Sequence, residues 1–218
     1  MPRNRTHIEH FNMSKIIILC FYIKLMKGII GKKMGMAQVF DENGRVIPVT
    51  YLSCEPNTVF DIKTVDRDGY SSLVLGANPL GKKETKTKKF KTLKEFSGDV
   101  ASDVVIGSVI DASIFEAGEF VSVVGVSKGK GFQGRVRRHN SRVARKTHGT
   151  KAVRHGSSGS MCITARSQPG LTMAGRMGND KVTLRSVKIV RVDAERSIIA
   201  VKGPVPGAIN SIVFLKKS

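Results

Sequence analysis

From Lys27 onward, apolar positions come in short runs cut by turn residues, and no long stretch holds a helical spacing. Ile29-Ile30 and Ala37 to Phe40 lead to Asp41-Glu42-Asn43-Gly44, and Val46 to Leu52 returns. Asn-Gly between apolar runs predicts a hairpin, because both residues tolerate positive φ. Thr58 to Val65, the turn Asp66-Arg67-Asp68-Gly69 and Tyr70 to Leu75 repeat the arrangement, and Val104 to Val109 and Phe120 to Val126 read as further strands. Val182 to Val192 alternates with a slip near Ser186, and Asp193-Ala194-Glu195-Arg196 turns it into Ser197 to Lys202. Gly203-Pro204 and Pro206-Gly207 break the chain before a last run, Ser211 to Leu215. Short strands at intervals of roughly 8 to 12 residues predict a mainly β fold, a small closed β-barrel. Val39, Val49, Leu75, Val123, Ile189 and Val201 are its expected core.

Two segments break this rhythm. Gly81 to Lys94 holds seven Lys against Glu84, and reads as an exposed excursion, either a solvated loop or a secondary RNA contact. Phe120 to Asn179 holds twelve Lys and Arg, ten Gly and no Asp or Glu. Its cations are Lys128, Lys130, Arg135, Arg137, Arg138, Arg142, Arg145, Lys146, Lys151, Arg154, Arg166 and Arg176, with His139, His148 and His155 among them. Such a segment buries too little apolar surface to offset its own ordering entropy. It needs a polyanion to fold against, and nucleic acid is the polyanion that fits. A long insertion between two barrel strands would ordinarily count against a compact domain, but ordering by a partner supplies the reason.

Residues 1–25 match this pattern poorly. Ile16 to Ile23 is an apolar run of eight residues, short of the roughly 20 needed to span a bilayer. Arg3 and Arg5 precede it, but no small-residue cleavage site follows. The segment reads as an upstream extension, with translation starting at Met13 or Met26; a packed or disordered tail and a targeting segment are the alternatives.

The formal charge is +20, and the pI near 10.2 specifies an acidic partner without saying which. Outside the stretch 25 basic residues face 17 acidic ones, so the surplus there is only 8. No Trp and 6% aromatic residues argue against recognition by base stacking and for contact with phosphates. Cys20, Cys54 and Cys162 form neither a disulfide framework nor a zinc motif.

Gly129-Lys130-Gly131-Phe132-Gln133-Gly134 matches the dinucleotide-binding spacing G-x-G-x-x-G. That fold needs an apolar helix next and an acid about 20 residues on. Arg135-Val136-Arg137-Arg138-His139-Asn140 follows instead, and no acid occurs until Asp180. The glycines therefore read as letting backbone approach phosphates that Lys128, Lys130 and Arg135 neutralise. The three histidines lack the spacing and companions of a metal site and read as donors to RNA. Ser157, Ser158 and Ser160 lie near His155, but no local acid would orient it as a base. An apolar face beside the charge, which a membrane-surface protein would use, is missing from the tract.

Several of these segments together resemble the bacterial-type large-subunit ribosomal protein L-three family. They are Gly28-Ile29-Ile30-Gly31-Lys32-Lys33-Met34-Gly35-Met36, Ser127 to Gly134, Arg137 to Asn140, Thr147-His148-Gly149, Met173 to Asn179, and Val201 to Ala208. They stand in the family's order and cover Met26 to the C-terminus. The resemblance implies a translation-factor-like barrel over 26–126 and 179–218, with a small α/β insertion near 80–105. It also implies an extension over 127–178 that threads through large-subunit rRNA toward the peptidyl transferase centre. Large-subunit rRNA and neighbouring ribosomal proteins are the implied partners, with no membrane, small-molecule substrate, cofactor or catalysis of its own. The extension's tip falls at Ser160, Met161, Cys162, Ile163 and Thr164. Many bacterial relatives carry a methylatable Gln about where Cys162 stands, and this chain has no Gln between Gln133 and Gln168. The family's aromatic after Asn140 is also missing.

Overall fold

The computed structural model describes residues 27–81, 84–85, 88–98, 104–143, 147–149 and 169–217. Its strands are β1 (Gly28–Phe40), β2 (Val46–Ser53), β3 (Asn57–Lys63), β4 (Ser72–Pro79), β5 (Phe90–Ser97), β6 (Val109–Ile110), β7 (Phe120–Val126), β8 (Phe132–Gln133), β9 (Gly175–Arg176), β10 (Lys181–Asp193), β11 (Ile198–Lys202) and β12 (Ile212–Lys217). The chain is mainly β: among the described residues the α-helices are two short pieces, Val65–Asp68 and Arg135–His139. Antiparallel pairing joins β1, β12, β7, β10, β11 and β2 into a ring that closes from β2 back to β1. The β1–β2 connection is the Asn43-Gly44 turn, where the Gly44 amide donates to the Asp41 carbonyl at 2.8 Å.

Period-two patterning decides what each wall residue faces. On β1, Ile29 joins Leu52, Val121, Val123, Ile189, Ile199, Val201, Val213 and Leu215 in one buried cluster. Its neighbour Ile30 points the other way and joins Val59, Leu73, Leu75, Ala77 and Phe96. On β12 the register sets Leu215 opposite Ile29 and Phe214 opposite Ile30, and Ile212 and Phe214 pack on the second cluster. The β1–β12 wall therefore serves two cores. Each fully buried Ile, Leu or Val contributes about 1.5–3 kcal/mol relative to exposure. Cys54 lies within the first cluster, and burial pushes its thiol up to about 12.

The second core belongs to a four-stranded antiparallel sheet in the order β5-β4-β3-β6. Buried Asn57 ties it to the barrel wall by donating Nδ2 to the Ile30 carbonyl at 3.2 Å. This sheet changes three of the expectations from sequence. Leu75 is fully buried, but in this second core rather than the barrel's. The run Val104 to Val109 is mostly a turn, with Val105 and Ile106 exposed and only Val109–Ile110 paired as β6. The Lys-rich run ends inside strand β5, which pairs along β4 through its backbone; Lys91 faces outward, whereas Lys94, opposite Leu75, is half-buried with its ammonium 5.4 Å over the Phe214 ring. Glu95 on β5 accepts from Ser72 Oγ at 2.9 Å and from Lys63 Nζ at 3.1 Å. These bonds, the Lys63 one foremost, hold its carboxyl below the usual range. Val39 is only half-buried, since it pairs with Ile47 on the outer part of the β1–β2 hairpin.

Ser186, at φ 54°, carries the bulge where β10 slips against β7. Just before β7, Glu119 lies 3.5 Å from Lys27 Nζ and 3.4 Å from Lys217 Nζ, joining the start of β1 to the end of β12.

Candidate nucleic-acid interface

Strands β7 and β10 leave the barrel side by side and keep pairing. Val126 opposite Lys181 is the last barrel pair. Beyond it the Ser127 amide donates to the Asp180 carbonyl (2.9 Å) and the Asn179 amide to the Ser127 carbonyl (3.2 Å). The Lys130 amide donates to Met177 (2.9 Å), and the Met177 amide to Gly131 (3.0 Å). The ribbon ends with Phe132 opposite Arg176 and Gln133 opposite Gly175. Backbone hydrogen bonds, which apolar periodicity does not reveal, thus order a segment with almost no core of its own.

Two glycines of this ribbon lie in close approaches, and at Gly178 the approach is to backbone, so glycine is needed there. Gly178 sits at φ 74°, and a Cβ there would overlap the Lys128 carbonyl oxygen. At Gly175 a Cβ would overlap the Arg138 guanidinium, which lies across that strand. Arg138 comes from the five-residue helix Arg135–His139, which ends at Asn140 in the left-handed region. Its Nη1 donates to the Met173 carbonyl at 3.1 Å, and His139 Nε2 lies 3.1 Å from the same oxygen. Outgoing and returning arms are therefore latched to each other. The helix has no buried residue, so the G-x-G-x-x-G segment opens no helix packed on a sheet, as a dinucleotide site requires.

Between ribbon and barrel lies a groove of about 690 Å³, lined by Lys33, Lys128, Lys130, Arg138, His139 and Arg176, with Asp180 as its carboxylate. Five permanent cations against one acid make it a positive trough that attracts and holds anions. Of the other cations named from sequence, Arg137 and Arg142 are exposed, Arg135 is half-buried and His148 is exposed. Arg145, Lys146, Lys151, Arg154, His155 and Arg166 lie outside the described residues, as do the tip residues Ser160, Met161, Cys162, Ile163 and Thr164.

Lys33 was not among the site residues expected from sequence, where it stands only within the segment Gly28 to Met36. It is only 9% exposed. Its Nζ donates to the carbonyls of Val205 (2.7 Å) and Gly207 (3.1 Å). Its own backbone exchanges bonds with Ser211 (2.9 Å) and Asn210 (2.8 Å). The β11–β12 loop is thereby pinned along the groove, with Thr50 Oγ1 donating to the Gly203 carbonyl at 2.6 Å on its other side. Desolvation first, then the Lys128 charge, lowers the Lys33 ammonium below the ordinary lysine value of 10.5.

Replacing Lys33 with Met should cost about 1–3 kcal/mol, the usual loss when buried acceptors are left without a donor. The pH dependence has a definite sign. Because the folded value lies below the unfolded one, folding a charged Lys33 carries its full cost at pH below both values. That cost is relieved as pH rises through the lowered value toward 10.5. Denaturant melts should show the stability gap between wild type and Lys33→Met widening across that window. A gap that narrows there would contradict the buried, charged placement.

Among the described residues no group of three or more His, Cys, Asp or Glu could hold a metal ion. No helix there is long and apolar enough to cross a membrane.

Comparison with known proteins adds an independent line. The family model for ribosomal protein L3 matches residues 84–197. The large ribosomal subunit protein uL3 of Shouchella clausii is 41% identical over 205 residues, covering 89% of this chain and 98% of the relative. That of Borrelia garinii subsp. bavariensis is 44% identical over 206 residues, covering 88% and 99%. The Treponema denticola protein is 42% identical over 204 residues, covering 88% and 98%. Identity at this level over nearly whole chains leaves one assignment: the chain belongs to the ribosomal protein L3 (uL3) family.

Proposed function

We propose that this chain is a structural, non-enzymatic constituent of the large ribosomal subunit, working in the cytoplasm, and that its basic extension is the part that grips large-subunit rRNA. Membership of the large subunit is supported by the family, since the relatives are named large ribosomal subunit proteins. The second half rests on one observation above all. A ribbon latched at Met173 delivers a tract without Asp or Glu away from the barrel, with a five-cation groove at its root.

In this reading 26–126 and 179–218 form the anchoring body, with the 80–105 segment inserted, and 127–178 is the rRNA-threading arm. The body is a translation-factor-like barrel. The arm runs toward the peptidyl transferase centre with Ser160 to Thr164 at its tip, and it helps nucleate assembly. Neighbouring large-subunit proteins complete the surroundings. Lys128, Lys130, Arg135, Arg137, Arg138, Arg142, His148 and Arg176 contact phosphate or sugar, as do Arg145, Lys146, Lys151, Arg154, His155 and Arg166. Arginine suits the role because its planar fork gives phosphate two hydrogen bonds. Charge reversal at Arg137 and Arg138, read out as incorporation into the large subunit, tests the proposal.

A further inference from the structure

Phe132 is 77% exposed, more than any other large apolar side chain among the described residues. A single exposed aromatic is ordinary on a protein surface. Here it stands at the paired end of the latched ribbon, directly opposite Arg176. Side chains of directly opposed residues in an antiparallel pair share one face, so the ring and the guanidinium are presented together. The backbone beneath is held on both sides, by the Lys130–Met177 and Met177–Gly131 bonds and by the Gln133 side chain, which donates to the Lys130 carbonyl. Phe132 thus sits on a prepared platform, not on a loose loop.

We propose that Phe132 is a stacking site for an unpaired nucleobase of large-subunit rRNA, with Arg176 engaging the adjoining phosphate. The inference rests on the rRNA-binding reading above and adds a base contact to it. Low aromatic content argues against stacking as a general mode for this chain, but not at one fixed position. Charge selects the occupant. Lys128, Lys130, Arg135, Arg137, Arg138 and Arg176 surround the ring in sequence and across the ribbon, and no acid lies between Glu119 and Asp180. A nucleobase brings an apolar π-face and its own phosphate to such a place, whereas an apolar patch on a protein would leave the cations unmatched. Stacking is also tolerant of base identity, so the site fixes position more than sequence.

The test uses the full chain with deproteinised large-subunit rRNA in filter binding across a salt series. Phe132→Leu keeps an apolar side chain but removes the π-face, and Phe132→Tyr restores it. Expected is a loss of affinity of about 5- to 100-fold for Leu, recovery for Tyr, and an unchanged salt slope, because phosphate contacts are untouched. Unchanged affinity for Phe132→Leu, beside a clear loss for Arg137→Glu with Arg138→Glu, overturns the stacking site and leaves the rRNA reading standing. If the charge reversal is also without effect, the rRNA reading itself fails. Normal rRNA binding with weakened uptake of a neighbouring protein overturns the stacking site in favour of a protein contact. The exposed position should leave the melting temperature of both variants at the wild-type value, so a loss of affinity is not one of folding.

Discussion

Reversing Arg137 and Arg138 to Glu should abolish stable incorporation into the large subunit while the barrel stays folded. Both residues lie on the short helix beyond the ribbon, and no residue of that helix is buried. The barrel core at Ile29, Leu52, Val123 and Leu215 lies elsewhere. Hydrogen bonds to charged groups contribute about 1.5–3 kcal/mol each, so losing two phosphate contacts predicts a roughly 10²- to 10⁴-fold weaker affinity for rRNA. Wild-type affinity should itself fall roughly 10³- to 10⁵-fold between 50 and 200 mM salt if 6–10 phosphates are neutralised. The double variant should flatten that dependence by about two units of slope. Arg138 also donates to the Met173 carbonyl, so Arg137→Glu alone separates the phosphate effect from loss of the latch. A double variant that sediments normally with the large subunit would contradict the proposed role.

Gly178→Ala should disable the ribbon without melting the barrel. An L-residue in the left-handed region costs about 1–2 kcal/mol, and the added Cβ meets backbone, the Lys128 carbonyl, not a flexible side chain. The arms must separate, giving up hydrogen bonds across Lys130, Met177 and Gly131 at about 0.5–1.5 kcal/mol each. Amide exchange at Lys130 and Met177 should therefore speed up at least tenfold, while Leu52 and Val123 keep wild-type protection. Affinity for rRNA should drop with it. Gly129→Ala is the matched control, since its Cβ would meet only Asn179 Cβ at 3.8 Å. Equal protection in both variants would show that the close approach at Gly178 does not hold the arms.

The mainly β character was legible because most of the strands carry period-two apolar patterning and Gly- or Asp-rich turns. Even the β10 slip at Ser186 showed as a break in the alternation. Strand β5 was hidden because a charged residue stands on its inward face: Lys94 lies opposite Leu75, beside buried Phe96, with its ammonium over the Phe214 ring. Leu75 illustrates a related limit: patterning says that a residue is buried, not in which of two cores. In the interface the charge of Lys128, Lys130, Arg138 and Arg176 was evident from composition. Their shared groove was not, because it depends on cross-chain pairing and on the Met173 latch. Lys33 was missed for the same reason. Its two acceptors lie 172 and 174 residues away, and nothing local marks a lysine as buried. The one available signal was that Gly28 to Met36 and Val201 to Ala208 both belonged to the family resemblance, and the Lys33 bonds are where they meet.

Ultraviolet crosslinking in cells, followed by mass spectrometry of RNA-adducted peptides, tests most directly whether the basic extension is what holds this chain on large-subunit rRNA. Expected are adducts concentrated between Lys128 and Arg176 and joined to large-subunit rRNA, with few on the barrel strands. Adducts absent from that segment, or joined mainly to messenger RNA, would contradict it.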